Sequence, residues 1–287
     1  MYDPRTATFA KTGNLEVGRE SQTATLLNDG EVLIAGGDNL SAPPTMAELY
    51  DPTTGRFERA GRPSTARADA AAALLPSGEV LIAGGWDPGD GPDHGYSSAE
   101  LYNPKTKQFF KTGKMTQDVS NATAITLEDG NILIIGGRSG GYAVAPIESY
   151  NPKSRTFAAA GDMGNHWLFD CTSTYLSDGK VLVTGCYDGQ RAFLYDPNNR
   201  QIIPTGAMIE PRSMNSATLL ANGNVLVAGG ISQSEKEFKD YRSTASAELY
   251  DPALGKFSLT GSMTVPRSGH RAVLLKDGRV LIAGGSD

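Results

Sequence analysis

Apolar residues along this chain come in bursts of four to six, and no stretch holds the 3.6-residue spacing of an amphipathic helix. One burst is written six times: "LNDGEVLIAGG" from Leu27, "LPSGEVLIAGG" from Leu75, "LEDGNILIIGG" from Leu127, "LSDGKVLVTGC" from Leu176, "LANGNVLVAGG" from Leu220 and "LKDGRVLIAGG" from Leu275. The terminal glycine pairs begin at Gly36, Gly84, Gly136, Gly185, Gly229 and Gly284, with Cys186 replacing the second glycine once. Their spacings of 48, 52, 49, 44 and 55 residues define a period near fifty. Other signals keep step. Tyr2, Tyr50, Tyr102, Tyr150, Tyr195 and Tyr250 each open "YDP" or "YNP". Seven residues on stands Phe9, Phe57, Phe109, Phe157, Ile202 or Phe257, and eleven on stands Gly13, Gly61, Gly113, Gly161, Gly206 or Gly261.

Each repeat predicts four short strands. The first, such as "SATLLA" (Ser216 to Ala221), has small and branched residues on both faces, as a strand covered on both sides requires. Asp-Gly or Asn-Gly then predicts a two-residue type I′ hairpin turn. "NVLVAGG" is the second strand, whose glycines permit close backbone approach. "AELYDP" is the third, ended by proline, and "GKFSLTG" is an outer fourth with one inward aromatic.

Four-stranded units at this period mark a propeller blade. The chain resembles the kelch family in its double glycines, its Tyr-Asp-Pro, the aromatic seven residues later, and the "PRS" lead-ins at Arg212 and Arg267. "WD" at Trp86-Asp87 follows a glycine pair and is not a WD40 mark. The resemblance implies an all-β fold, a six-bladed kelch-type β-propeller with four antiparallel strands per blade in a single domain, 1–287. Blades are expected at 19–60, 67–111, 119–159, 168–204, 212–260, and 267–285 plus 1–11. The last joins its inner strands from the C-terminal end to outer strands from the N-terminal end, a 2+2 clasp that removes exposed sheet edges.

In such a fold the loops between second and third strands share a face with the channel mouth. They are uneven here: Asp38–Met46, Trp86–Ser98, Arg138–Pro146, Tyr187–Arg191 and Ile231–Ser246. Uneven loops on a repeated scaffold are where binding resides. Candidate binding residues are Trp86 and Tyr96, Tyr142, His166 and Trp167, Phe238 and Tyr241, with the lead-in arginines Arg19, Arg67, Arg212 and Arg267. The arginines have two readings: a cationic ring for carboxylate or phosphate, or internal pairing with Glu48, Glu100, Glu148 or Glu248, which repeat architecture favours. Repeat three keeps Glu148 but carries Val119 in the arginine place. One place nearer the rim than Cys171 stand Ser21, Asp69, Asn121, Asp170, Met214 and Gly269, expected to be solvated channel lining.

Repeat four departs from the pattern. It has Leu168 for the arginine, the cluster Asn165, His166, Trp167 and Phe169, and both cysteines. A two-residue turn at Asp178-Gly179 places Cys171 opposite Cys186 on a hydrogen-bonded pair. Orientation there favours two neighbouring thiols, whereas a bond would imply an oxidising compartment.

Net charge of −6 argues against nucleic acid or an anionic membrane surface as partner, and no apolar run reaches the length of a membrane span. Residues 1–10 show no signal-peptide pattern, the compartment is open, and a monomer is expected. No metal and no cofactor is expected, because the three histidines and the "WDPGDGPDHG" loop (Asp87, Asp90, Asp93) lack ligand spacing. "PRSGHRAVLLKDG" is similar to a ligand-bearing stretch of galactose oxidase, but Gly269 stands where the tyrosine beside His270 would be. His166 with Asp170 is the one acid–base pair worth testing. The reading is a non-catalytic propeller binding a protein or glycan at its loop-rich face. The alternatives are a carbohydrate-active enzyme, sugar oxidase- or mutarotase-like, with its site near blade four, and a structural module of a larger surface or sensory protein.

Overall fold

A computed structural model describes residues 1–39, 46–89, 94–140, 142–144, 146–164, 170–187, 189–232 and 242–287. Among them there is no helix, and the sheets follow the repeat. Five four-stranded sheets, each in sequential strand order, begin at the strands Glu20–Leu26, Ala71–Leu74, Thr123–Thr126, Thr172–Tyr175 and Ser216–Leu219. Two further hairpins, Tyr2–Asp3 with Thr8–Phe9 and Arg271–Leu274 with Val280–Ala283, are each a two-stranded sheet. The first pairs Tyr2 with Phe9, the register of Tyr50 with Phe57 and Tyr250 with Phe257, so it carries the pattern of a third and fourth strand. The second carries that of a first and second.

The chain divides into two compact bodies: residues 1–134, 138–142 and 146–159, and residues 135–137, 143–145 and 160–287. Within the first, the opening strand of repeat two lies against those of repeats one and three. Leu33, Ala35 and Leu49 of one sheet pack on Val80, Ile82 and Tyr102 of the next. Within the second body the opening strand of repeat five lies between those of repeats four and six, and Leu182, Ala192 and Met208 pack on Val225, Val227 and Tyr250. Second strands such as Val80–Ala83 and Val181–Thr184 are buried along their whole length, which is why they are almost wholly apolar, with the Thr184 hydroxyl bonded to that of Thr172.

The glycines mark where neighbouring sheets touch. A Cβ on Gly36 would lie 2.3 Å from the carbonyl oxygen of Arg67, and one on Gly84 would lie 2.4 Å from that of Val119. The following glycine donates to the same carbonyl, Gly37 to Arg67 at 2.9 Å and Gly85 to Val119 at 2.8 Å. Farther out, Gly61 and Gly113 would meet the carbonyls of Lys107 and Arg155 at 2.2 and 2.5 Å. Both glycine signals of the repeat are therefore sheet-to-sheet contacts.

The hairpin turns differ from the sequence expectation. Leu27 N–H bonds to Glu31 O and Gly30 N–H to Leu27 O, which encloses three residues, and the same bonds recur from Leu75, Leu127, Leu176, Leu220 and Leu275. Only the glycine is left-handed (Gly30, φ 92°), while Asp29 accepts the Glu31 amide through its side chain. The Asp side chain favours this three-residue loop with a bulged glycine over a type I′ turn. Every register consequently moves by one.

Behind the last strand of three repeats a hydroxyl meets the next repeat's tyrosine: Thr12 with Tyr50, Thr112 with Tyr150 and Thr205 with Tyr250, at 2.6 to 2.8 Å, while Tyr195 donates to the Ala160 carbonyl at 2.8 Å. Ala60 occupies that place before Tyr102, whose buried hydroxyl has no partner among the described residues and whose pKa burial pushes up to about 12. Tyr150→Phe should therefore cost about 1 kcal/mol in chemical denaturation and Tyr102→Phe close to nothing; equal losses would refute this pairing scheme.

Candidate functional site

Three of the four lead-in arginines are internal. Arg19 bonds to Glu48 at 2.6 Å, Arg67 to Glu100 at 3.4 Å and Arg212 to Glu248 at 2.8 Å, with every one of these side chains at most 3% exposed. The second guanidinium nitrogen donates to the first glycine's carbonyl (Gly36, Gly84, Gly229) and to Met46, Ser98 or Ser246. Each glutamate also accepts an amide from the lead-in itself, from Glu16, Ser64 or Ile209. The pair thus clamps the lead-in onto the second and third strands, and a buried charge so enclosed is satisfied. In repeat three, Glu148 is held instead by the Thr116 amide and hydroxyl. The cationic-ring reading is corrected for Arg19, Arg67 and Arg212. Arg267 is different: it is half-buried, it donates to Gly284 O at 2.6 Å, and no described carboxylate pairs with it.

Around repeat two the structure gathers three of the candidates. Trp86 pairs in a β-bridge with Ala68 and with Gly95, and its indole N–H donates to Asp69 Oδ2 at 2.8 Å. The Tyr96 hydroxyl donates to Asp87 Oδ2 at 2.8 Å, and its ring lies under the Arg67 guanidinium, 5.4 Å from centroid to Cζ. Trp86, Asp69, Asp87 and Tyr96 are all half-buried. The result is two fixed aromatic rings beside two carboxylates, the combination that stacks on a sugar face and accepts its hydroxyls. Sequence reading named both rings but not Asp69 as Trp86's anchor; the left-handed backbone at Asp69 (φ 48°) is not visible in residue spacing.

The other candidates lie apart or unplaced. Tyr142, 78% exposed, sits on a small hairpin of Arg138–Ser139 with Tyr142–Ala143. Arg212–Ser213 joins Ile231–Ser232 and Arg242–Ser243 in a three-stranded sheet at the loop of repeat five. His166, Trp167, Phe238 and Tyr241 lie outside the described residues, as do Asp90 and Asp93. The His166–Asp170 pair therefore has only Asp170 placed. His270 is buried, with Nε2 2.9 Å from Ser216 Oγ, and burial with nearby Arg267 lowers its pKa, favouring the neutral ring. Among the described residues no group of three His, Cys, Asp or Glu could hold a metal ion.

The supposed channel lining has a structural task. Ser21, Asp69, Asn121, Asp170 and Met214 all have φ between 48° and 56°, and Gly269 has 64°. This left-handed turn aims the backbone sideways, so that Asp69 N–H reaches Ser21 O and Asn121 N–H reaches Asp69 O, both at 3.0 Å. In the second body Met214 donates to Asp170 and Gly269 to Met214. Five non-glycine residues tolerate an uncommon conformation because each link satisfies two backbone groups.

Cys171 and Cys186 form a disulfide, in place of the two neighbouring thiols expected. The two-residue turn is also corrected here: the ladder pairs Thr172 with Thr184, so the cysteines are diagonal, not opposed. The repeat explains the contact. A Cβ on Gly37, Gly85, Gly230 or Gly285 would lie 3.0 to 3.1 Å from the Cβ of Gln22, Ala70, Asn215 or His270, which are the places equivalent to Cys186 and Cys171. A side chain at the second glycine therefore meets that residue at close range, and a disulfide turns the conflict into a bond. Thiol titration of the denatured, unreduced chain should find no free thiol; two would contradict this assignment.

No family model and no curated protein sequence matches the chain.

Proposed function

We propose that this chain is a non-catalytic kelch-type β-propeller of six blades that binds a glycan or protein partner at its loop-bearing face. In this reading the hairpin of Arg271–Leu274 and Val280–Ala283 is the inner half of the sixth blade, and residues 1–11 give its outer half. The shared registers and the shared glycine contacts support it. The observation that carries the binding role is the group of Trp86, Tyr96, Asp69 and Asp87, held by hydrogen bonds in a place where the scaffold does not need aromatic rings. Rings fixed before a ligand arrives lose little freedom on binding. The internal arginine clamps argue against a phosphate-binding ring, and His270, buried against Ser216, is not poised for proton transfer with a ligand. The disulfide favours an oxidising compartment.

A glycan array probed with the wild-type chain and with Trp86→Ala tests the role. The expected outcome is at least one saccharide class bound by the wild type and weakened roughly tenfold or more by the substitution, the loss of one stacking contact and its anchor. Ligands indifferent to Trp86→Ala, with the circular dichroism spectrum unchanged, would move the site elsewhere.

A further inference from the structure

The group around Trp86 has spent its side-chain donors. The indole N–H goes to Asp69 Oδ2, and the Trp86 backbone pairs in both directions with Ala68, at 2.9 and 3.0 Å. Asp69 gives its amide N–H to Ser21 O and takes that of Asn121 on its carbonyl. The Tyr96 hydroxyl and the Gly89 amide both donate to Asp87, each at 2.8 Å. Arg67, the cation against the Tyr96 ring, is 2% exposed and turned into its clamp, out of a ligand's reach. What remains is the face of Trp86, the Oδ1 oxygen of Asp69, to which no described residue donates, and the spare lone pairs of Asp87. Each of these stacks or accepts; none donates.

We propose that this site takes a saccharide that brings its own hydroxyl donors and carries no carboxylate, sulfate or phosphate. The inference rests on the binding role proposed above and narrows it to one ligand class. A sugar ring laid on Trp86 turns hydroxyls outward at its rim, where single carboxylate oxygens can receive them. An acidic saccharide sets like charges together with no donor between them, a cost that stacking does not remove. The same accounting disfavours a basic peptide. An arginine seeks both oxygens of one carboxylate, whereas Asp69 has one oxygen held by Trp86 and Asp87 has one held by Gly89 and the other by Tyr96.

The probe is a glycan array that sets neutral saccharides beside their uronate and sulfated counterparts, read with the full chain. Neutral members should bind about tenfold or more tightly than their acidic counterparts, with the gap closing as salt rises. Asp69→Asn keeps an oxygen for the indole and suits the backbone, since Asn121 holds the equivalent place at φ 54°. Removing that charge should narrow the gap about threefold or more, a change in selectivity that loss of structure alone would not produce. Should Trp86→Ala fail to fold, the wild-type ratios and Asp69→Asn decide alone. Acidic saccharides bound as tightly as neutral ones, with both weakened by Trp86→Ala, overturn this inference and leave the binding role at Trp86 standing. A neutral preference indifferent to both Trp86→Ala and Asp69→Asn removes the binding role from this site, and the inference with it. An array on which no saccharide is bound overturns the inference outright.

Discussion

Successive sheets approach one another backbone to backbone most closely at residues that have no side chain. Gly36 and Gly84 each put an α-carbon where a single added carbon would overlap the next repeat's carbonyl oxygen, and Gly61 and Gly113 do the same at the outer edge. The amides of Gly37 and Gly85 then bond to those same carbonyls. The sheets are therefore fixed in angle and height by main-chain groups, and the apolar faces between them, Leu33 and Leu49 against Val80 and Tyr102, fill with side chains afterwards. A lone four-stranded sheet has two faces to bury, which is why the repeat must recur.

From that constraint the rest is placed. The lead-in that supplies the carbonyl must be held rigidly, and the buried arginine–glutamate clamp does this by tying it to two strands at once. Removing either partner would strand a buried charge, so the pair acts as a geometric lock more than as a source of net stability. The left-handed residues at Ser21, Asp69 and Asn121 add a second line of main-chain bonds between repeats. With both lines in place, the loops beyond them are free to vary, and one of them presents Trp86 and Tyr96 on anchors that belong to the scaffold.

Much of this was legible in the residues. The recurring four-stranded antiparallel sheets and the close packing at the paired glycines follow from periodicity, because each is written several times; for the lead-in arginines the sequence left two readings open, and the ion pairs of Arg19, Arg67 and Arg212 choose the internal one. What occurs once or depends on dihedral angles was not. The hairpin loop looks like Asn-Gly or Asp-Gly in either turn type, and the aspartate's bond to the amide two residues on, as at Asp29 and Asp178, decides for three residues. That one-residue difference made Cys171 and Cys186 look opposed when they are diagonal, and it hid the close approach that favours their bond. Nothing in the letters of Ser21, Asp69, Asn121, Asp170 and Met214 signals a shared left-handed backbone, since only Gly269 is a glycine.

The direct measurement is a matched pair of glycine substitutions followed by chemical denaturation. Gly30 and Gly84 are both left-handed, at φ 92° and 68°, but a Cβ on Gly30 meets nothing within 4 Å while one on Gly84 meets the Val119 carbonyl at 2.4 Å. Gly30→Ala should cost the backbone strain alone, about 1–2 kcal/mol, and Gly84→Ala should cost that plus a further ~1–3 kcal/mol of forced separation between sheets. Equal losses would mean that the sheets do not depend on this contact, and the account built on it would fail.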